Sequence, residues 1–242
     1  MENKKFVIMG NGYIAKRHRK AIHALGGDIV AIYDPFKYGY EPYGHLFREV
    51  DYTVICSPTD RHWSQIVAAL MLMPPNGKVI VEKPMWLPWE PFLDDDRINV
   101  VLQYRFADLQ DIKKISVCMV RDAAYLASPK GDFTVSGGFL FNLFIHYIDL
   151  AFLHRATFTG RVVSSGDNWR LADSISLADQ NLFDQNDLYL KMYKQIAAGN
   201  GVKPSALLNL WLHMVSMAGQ WGYDDSFMVD GLPLDLEFKG GL

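Results

Sequence analysis

The sequence predicts an α/β protein: a doubly wound parallel sheet at the N-terminus, then a reduced α+β domain with a mainly antiparallel sheet. Three observations predict it. Near-continuous apolar runs alternate with helical segments up to about Phe106, the pattern of parallel strands buried on both faces. The first run ends in a glycine turn, Gly10-Asn11-Gly12-Tyr13-Ile14-Ala15, that leads into a helix. After about Ala107 the alternation stops, and strand-like and helical runs follow without a repeating order. The expected domains are 1–107 and 108–242.

The elements of the first domain follow in order. Phe6 to Met9 reads as a strand, the glycine turn opens a helix, and Ile29 to Tyr33 is a second strand ending in Asp34 and Pro35. In this strand–turn–helix–strand unit Gly10 permits the tight turn, Gly12 lets backbone amides approach a pyrophosphate, and Ala15 keeps helix and strand close. The helix N-terminus offers N–H groups and a favourable dipole to phosphate. Asp34 is placed to accept hydrogen bonds from an adenosine ribose diol and to repel a 2′-phosphate, which favours NAD over NADP. The unit is therefore that of a Rossmann dinucleotide-binding domain. The segment from Pro35 to Val50, rich in Tyr, Gly and Pro, has no clear pattern. Tyr52 to Cys56 is a third strand, with Thr59 as N-cap of a helix to about Leu72. Pro74-Pro75-Asn76-Gly77 is a turn, Lys78 to Val81 a fourth strand, and Asn99 to Leu102 a fifth.

In the second domain Ile115 to Arg121 reads as a strand, Ser128 to Asp132 as a loop, and Gly137 to Leu153 as one helix. Short strands are expected in Thr157 to Ser165 and Ser174 to Leu177, and helices near Asn186 to Ala198 and Pro204 to Met217.

Composition excludes several classes. Half of the 242 residues are hydrophobic and the net charge is −3, so the chain is globular, with no basic stripe for nucleic acid. The longest apolar run, Phe139 to Leu153, contains Asn142, His146 and Asp149, which argues against a membrane span. The apolar run after the charged N-terminus ends at Gly10, too short for a signal peptide. The two cysteines, Cys56 and Cys118, have no metal-ligand spacing and form no disulfide framework. A cytoplasmic protein without a bound metal is expected.

Chemistry concentrates in three further places. Glu82-Lys83-Pro84 follows the fourth strand, and ligands of open α/β sheets sit beyond the strands' carboxyl ends, so Lys83 should point into the cofactor crevice. A solvated turn lysine is the simpler alternative. On the helix 137–153, Asn142, His146 and Asp149 fall within an arc of roughly 60° at the usual helical rotation. Such a polar stripe on an apolar helix either lines a cavity or forms a hydrogen-bonded core network. Ser57-Pro58-Thr59-Asp60-Arg61-His62 can contact a cofactor while starting the next helix.

Together these motifs resemble the Gfo/Idh/MocA family of NAD(P)-dependent sugar oxidoreductases. The family's G-x-G-x-x-[GA], S/T-P-x-x-x-H, E-K-P and H-x-x-D stand here as Gly10 to Ala15, Ser57 to His62, Glu82 to Pro84, and His146 to Asp149. Within the family the chain most resembles the bacterial UDP-N-acetylglucosaminuronate 3-dehydrogenases of surface-polysaccharide biosynthesis. Gly10-Asn11-Gly12-Tyr13-Ile14-Ala15-Lys16-Arg17-His18 followed by Ala21-Ile22, Leu102-Gln103-Tyr104-Arg105, Lys130-Gly131-Asp132, Ser136-Gly137-Gly138 and Asn142 carry that likeness. The resemblance implies hydride transfer from a sugar carbon to NAD, with His146 as general base and Lys83 stabilising charge on the oxygen. It implies cofactor contacts at Gly10, Asn11, Gly12, Tyr13, Ile14, Asp34, Cys56, Ser57, Pro58, His62, Glu82, Lys83 and Gln103. Substrate contacts are implied at Lys83, Arg105, Lys130, Asn142 and His146, with Asp149 orienting or structural, and a homo-oligomer as the assembly. The chain departs from the family at Phe144, where Gly is usual, so the pocket is expected to be reshaped. A late segment, Asp187-Leu188-Tyr189-Leu190, lacks the relatives' His, and the stretch from His154 to Asp184 is short. A non-catalytic dinucleotide-binding descendant with a binding or structural role is the rival expectation.

Overall fold

A computed structural model describes residues 1–34, 37, 44–109, 111–130, 132–164, 174–176, 185–220 and 236–239. Pro35, Gly131, Ser165, Leu177 and half of the 35–50 segment lie outside the described residues.

The chain divides into two compact units. The first comprises Met1–Phe106 and Phe183–Leu208; the second comprises Ala107–Leu182 and Asn209–Leu242. The break near residue 107 lies where the sequence pattern changes, but assigning all of 108–242 to the second domain needs correction. The chain returns to the first unit for a helix whose apolar stripe and tyrosines are buried there.

In the first unit β1 (Lys5–Met9), β2 (Asp28–Tyr33), β3 (Tyr52–Ile55), β4 (Lys78–Val81) and β5 (Ile98–Val100) form a five-stranded sheet in the order β2-β1-β3-β4-β5. All four pairings are parallel. The order reverses between β1 and β3, so the crevice beyond their carboxyl ends is the topological switch point at which such sheets bind ligands. Helix α1 (Tyr13–Ala24) buries Ala15, His18, Ala21 and Ile22, and α2 (His62–Leu72) buries His62, Gln65, Ile66 and Ala69. Thr59 does not cap α2. A 3-10 turn, Thr59–Arg61, precedes that helix, and neither start has a side-chain cap.

Helix α4 (Gln185–Ala197) lays Tyr189, Met192, Tyr193 and Ile196 into one core cluster with Phe6, Ile8, Ile22 and Tyr52. These positions follow the i, i+3, i+4, i+7 spacing of a buried helical face. Beyond α4 the chain runs along β5: Val100 N–H donates to Val202 O at 2.8 Å, and Lys203 Nζ donates to Asp96 O and Asn99 Oδ1.

The second unit contains a four-stranded sheet, β8-β6-β7-β9, from β6 (Lys114–Arg121), β7 (Thr157–Ser164), β8 (Ser174–Ser176) and β9 (Leu236–Lys239). β6 and β7 pair in parallel, while β8 and β9 add antiparallel at either edge. β9 has no counterpart in the sequence expectations. The segment expected as one helix is two structures: a π-helical turn, Leu140–Phe144, and α3 (Ile145–His154). The wider i→i+5 turn changes the rotation per residue, so the uniform wheel that aligned Asn142 with His146 does not hold. Residues 134–154 are long and apolar enough to cross a membrane by composition, yet 78% of the window is buried, the mark of a core helix. Phe144, expected to reshape a pocket, is a core residue. It is fully buried and packs edge-on against Phe158, ring centroids 5.7 Å apart, over Gly160. Helix α5 (Leu208–Gln220) begins where the first unit ends.

Candidate dinucleotide and catalytic site

Hydrogen bonds past the strand ends place the motifs in one row. Gly10 N–H donates to Tyr33 O, Cys56 N–H to Met9 O, Glu82 N–H to Ile55 O, and Val101 N–H to Val81 O, all at 2.7–2.9 Å. Asp34, the glycine turn, the Cys56-Ser57 loop, Glu82-Lys83 and Leu102-Gln103 therefore follow one another across the carboxyl edge of one sheet.

Gly10 is required twice over. Its φ is +99°, and a Cβ there would lie 2.7 Å from Cys56 O and 2.8 Å from Ser57 N, both backbone atoms. Gly12 differs: its φ is −80°, and a Cβ there would meet nothing within 4 Å. It is the N-cap of α1 and gives that helix no side-chain cap, so the first-turn N–H groups have no capping side chain and the space beside Gly12 is open. Asp34 is buried and accepts the Asn11 N–H at Oδ2, 2.8 Å, which ties the strand-end carboxylate to the turn; Lys37 Nζ donates to Asn11 O. Tyr13 is exposed at the start of α1, and its hydroxyl accepts from Arg17 at 2.7 Å. Ile14 is half-buried. Gln103 is 5% exposed, and its Oε1 is buried without a hydrogen-bond partner. An open glycine cradle, an uncapped helix start and an orphaned amide oxygen fit a dinucleotide.

The loop after β3 has a more structural role than its motif suggests. Cys56 is buried with its Sγ 3.6 Å from Gly10 O, and burial pushes its thiol well above the ordinary range. Ser57 Oγ donates to Gln65 Oε1. His62, expected to touch the cofactor, is 1% exposed. Nδ1 lies 2.7 Å from Pro84 O and Nε2 2.9 Å from Ser57 O. It bridges the two loops from beneath. Burial holds its imidazole below its ordinary value, against the opposing pull of the two carbonyls. Pro58 stands between Ser57 and the 3-10 turn.

Lys83 is half-buried and precedes a cis proline, Pro84. Its neighbour Glu82 is buried at the centre of a polar network: Oε1 accepts from Tyr189 Oη at 2.6 Å and lies 3.0 Å from His18 Nε2, whose Nδ1 is 2.7 Å from Tyr193 Oη. The two ring nitrogens of His18 thus join the Glu82 carboxylate to the Tyr193 hydroxyl. Burial raises the Glu82 carboxyl, but the hydrogen bond and electrostatic attraction of His18, the Tyr189 hydrogen bond and the nearby Lys83 charge outweigh it and lower it to about 2. The sequence reading missed Tyr189, Tyr193 and His18 as members of this site. The available signal was two tyrosines at i, i+4 on the apolar face of a helix. Arg105 is half-buried in the 3-10 turn Gln103–Phe106.

In the second unit Asn142 Nδ2 donates to Lys130 O at 3.0 Å and to Tyr125 Oη at 3.3 Å. Lys130 itself is exposed, and Ser136 Oγ donates to Lys130 O. His146 and Asp149 are both buried on α3. The structure thus gathers Asn142 with Lys130 on one loop–helix junction. No group of three or more metal-ligating side chains occurs among the described residues.

Residues 4–92 match the model of the oxidoreductase family Gfo/Idh/MocA, described by its NAD-binding Rossmann fold. The match lies within the first unit and covers β1 to β4, so that stretch resembles the NAD-binding Rossmann domain of these oxidoreductases. Solved structures extend the likeness over the chain. The WlbA (WbpB) dehydrogenase of Thermus thermophilus in complex with NAD and UDP-GlcNAcA matches with a TM-score of 0.64 at 23% identity, covering 90% of this chain and 94% of that one. The same dehydrogenase with NAD and alpha-ketoglutarate matches at 0.63 and 24%, covering 84% and 91%. Levoglucosan dehydrogenase in complex with NADH matches at 0.62 and 12%, covering 89% and 98%. At these identities the likeness is one of fold. NAD is the cofactor that the glycine turn and the family match agree on.

Proposed function

We propose that the protein is an NAD-dependent sugar dehydrogenase, acting on a nucleotide-linked sugar of hexuronate type in cytoplasmic surface-polysaccharide metabolism. The observation that carries the reading is the row of motifs at the switch point: an open glycine cradle beside Glu82-Lys83 on adjacent strand ends.

Bound NAD supplies the hydride acceptor. Backbone N–H groups at Gly12 and the start of α1 hold the diphosphate, and Asp34 receives the adenosine ribose while steadying the turn through Asn11. Cys56, Ser57 and Pro58 form the wall of the crevice, with His62 fixing that wall to Pro84. Gln103 Oε1 offers a ready acceptor. As the sugar carbon gives up its hydride, the hydroxyl proton passes to the His146 imidazole, and the Lys83 ammonium hydrogen-bonds the same oxygen as it becomes a carbonyl. Arg105, Lys130 and Asn142 serve as substrate contacts. The reading requires Lys83 and His146 to reach one substrate, and a homo-oligomer is the expected assembly.

The test is NADH formation at 340 nm with UDP-N-acetylglucosaminuronate and other UDP-sugars, for wild type, Lys83→Ala and His146→Ala. Each variant should lose about 100-fold or more in kcat while keeping NAD affinity. If wild-type protein binds NAD but turns over no UDP-sugar, or if both variants turn over like wild type, the dehydrogenase reading is wrong. The first of those outcomes would favour a binding role instead.

A further inference from the structure

Lys83 is anchored on both sides by groups that come from distant parts of the first unit. On its N-terminal side Glu82 is fixed at three points: its N–H donates to Ile55 O, Oε1 accepts from Tyr189, and Oε1 also lies against His18. Glu82 Oε2 in turn faces the Lys83 N–H at 3.3 Å. On the C-terminal side Pro84 O is held by His62 Nδ1. We infer that Tyr189, from the helix that returns to the first unit, is a positioning residue for Lys83, acting through Glu82.

The chemistry supports this division of labour. A buried carboxylate with too few donors rotates or takes up a proton, and either change moves the peptide that follows it. Tyr189 Oη, at 2.6 Å, makes the shorter of the two contacts to Oε1 and is itself buried, so water is a poor substitute for it. Burial and the adjacent Glu82 charge push the Tyr189 phenol well above its ordinary value, which keeps it a donor throughout the working pH range. The ring needs no further polar partner to stay in place, because it packs edge-on against His18, centroids 5.0 Å apart, within the apolar core. Removing the hydroxyl alone therefore leaves the packing and frees the carboxylate.

The inference rests on Lys83 being the catalytic lysine, and its test separates the two. Lysines are 13C-methylated reductively, and the Lys83 dimethylammonium signal is assigned by its loss in Lys83→Arg. In Tyr189→Phe that signal should move towards the position of solvated lysines. With UDP-N-acetylglucosaminuronate, kcat should fall between about tenfold and 100-fold, with KM and NAD affinity near wild type. Tyr189→His, which keeps a ring N–H, should recover part of the loss. Tyr193→Phe, which removes a hydroxyl from the same helix but reaches Glu82 only through His18, should move the signal less. A Tyr189→Phe protein with lowered Tm but an unmoved Lys83 signal overturns the positioning role and leaves Tyr189 a stabilising residue. If Tyr189→Phe does not fold, Tyr189→Met fills the space without a donor, and a Lys83 signal and kcat identical to wild type in that variant overturn it equally. A Lys83→Arg variant with full turnover sinks the catalytic assignment instead, while the signal still reports whether Tyr189 places the side chain.

Discussion

The two turn glycines should respond oppositely to the same substitution. In Gly10→Ala the backbone must hold a positive φ of +99° with a side chain present, a conformation that costs roughly 1–2 kcal/mol. The new Cβ also lies 2.7 Å from Cys56 O and 2.8 Å from Ser57 N, and neither is the end of a flexible side chain, so β1 and β3 must part at their carboxyl ends. A total destabilisation of about 2–4 kcal/mol follows, which lowers Tm by roughly 5–10 °C. In Gly12→Ala the φ of −80° is ordinary and no atom lies within 4 Å, so Tm without ligand should stay within about 1 °C of wild type. Its methyl would instead occupy the space that a diphosphate needs, and NAD affinity should fall about tenfold or more. Thermal unfolding without ligand and calorimetric titration with NAD read the two effects separately. A Gly10→Ala protein as stable as wild type would refute the close approach of the turn to the Cys56 loop. A Gly12→Ala protein that binds NAD normally would refute the cradle.

Two further outcomes follow from the buried polar groups. His62→Ala removes the buried ring that lies against Pro84 O and Ser57 O, leaves one of those carbonyls without its N–H donor, and should cost about 1–3 kcal/mol, read as a lower denaturation midpoint at unchanged m-value. Glu82, with its carboxyl lowered from 4.5 to about 2, contributes stability that is fully present above pH 4.5 and is lost as pH falls from there towards 2. That loss is on the order of 3 kcal/mol, and Glu82→Gln should flatten it. An acid limb of the same depth in wild type and Glu82→Gln would show that other groups carry it.

What was legible in the sequence is what the backbone itself demands. A turn that needs a positive φ and a close strand approach can use little but glycine, so Gly10 declares itself, and the apolar runs of β1 to β5 follow from burial on both faces. The glutamate–lysine–proline motif stands at a strand end for the same reason. Thr59 misled because it has the right chemistry for a cap, while the chain there turns as a 3-10 segment behind Pro58. The bridge that His62 makes between Pro84 O and Ser57 O has no sequence signature, because both of its partners are backbone carbonyls. The π-helical turn at Leu140–Phe144 leaves no mark on a wheel drawn at constant rotation, so Asn142 was aligned with His146 by assumption. Phe144 looked like an intruder in a pocket, and only β7 reveals the partner, Phe158, that makes it core. The return of α4 to the first sheet has no local signature at all, because its reason lies in residues more than 100 positions earlier.

That return is held by charge as much as by apolar contact. An ionised carboxylate costs several kcal/mol to bury unless donors surround it. Residues 1–106 supply Glu82 with His18 on its Oε1, and Tyr189 Oη is the shorter contact to that same oxygen. His18 in turn finds its second partner in the Tyr193 hydroxyl, 175 residues away in the chain. Without α4 the glutamate would lose its shortest donor and His18 its hydroxyl, while Phe6, Ile22 and Tyr52 would lose the cover that Tyr189, Met192, Tyr193 and Ile196 provide. The unit that folds is therefore 1–106 together with 183–208. The network that stabilises it is also the one that sets the geometry of Lys83. In this domain the stability of the sheet edge and the placement of the lysine are one physical problem, solved by the same four buried side chains.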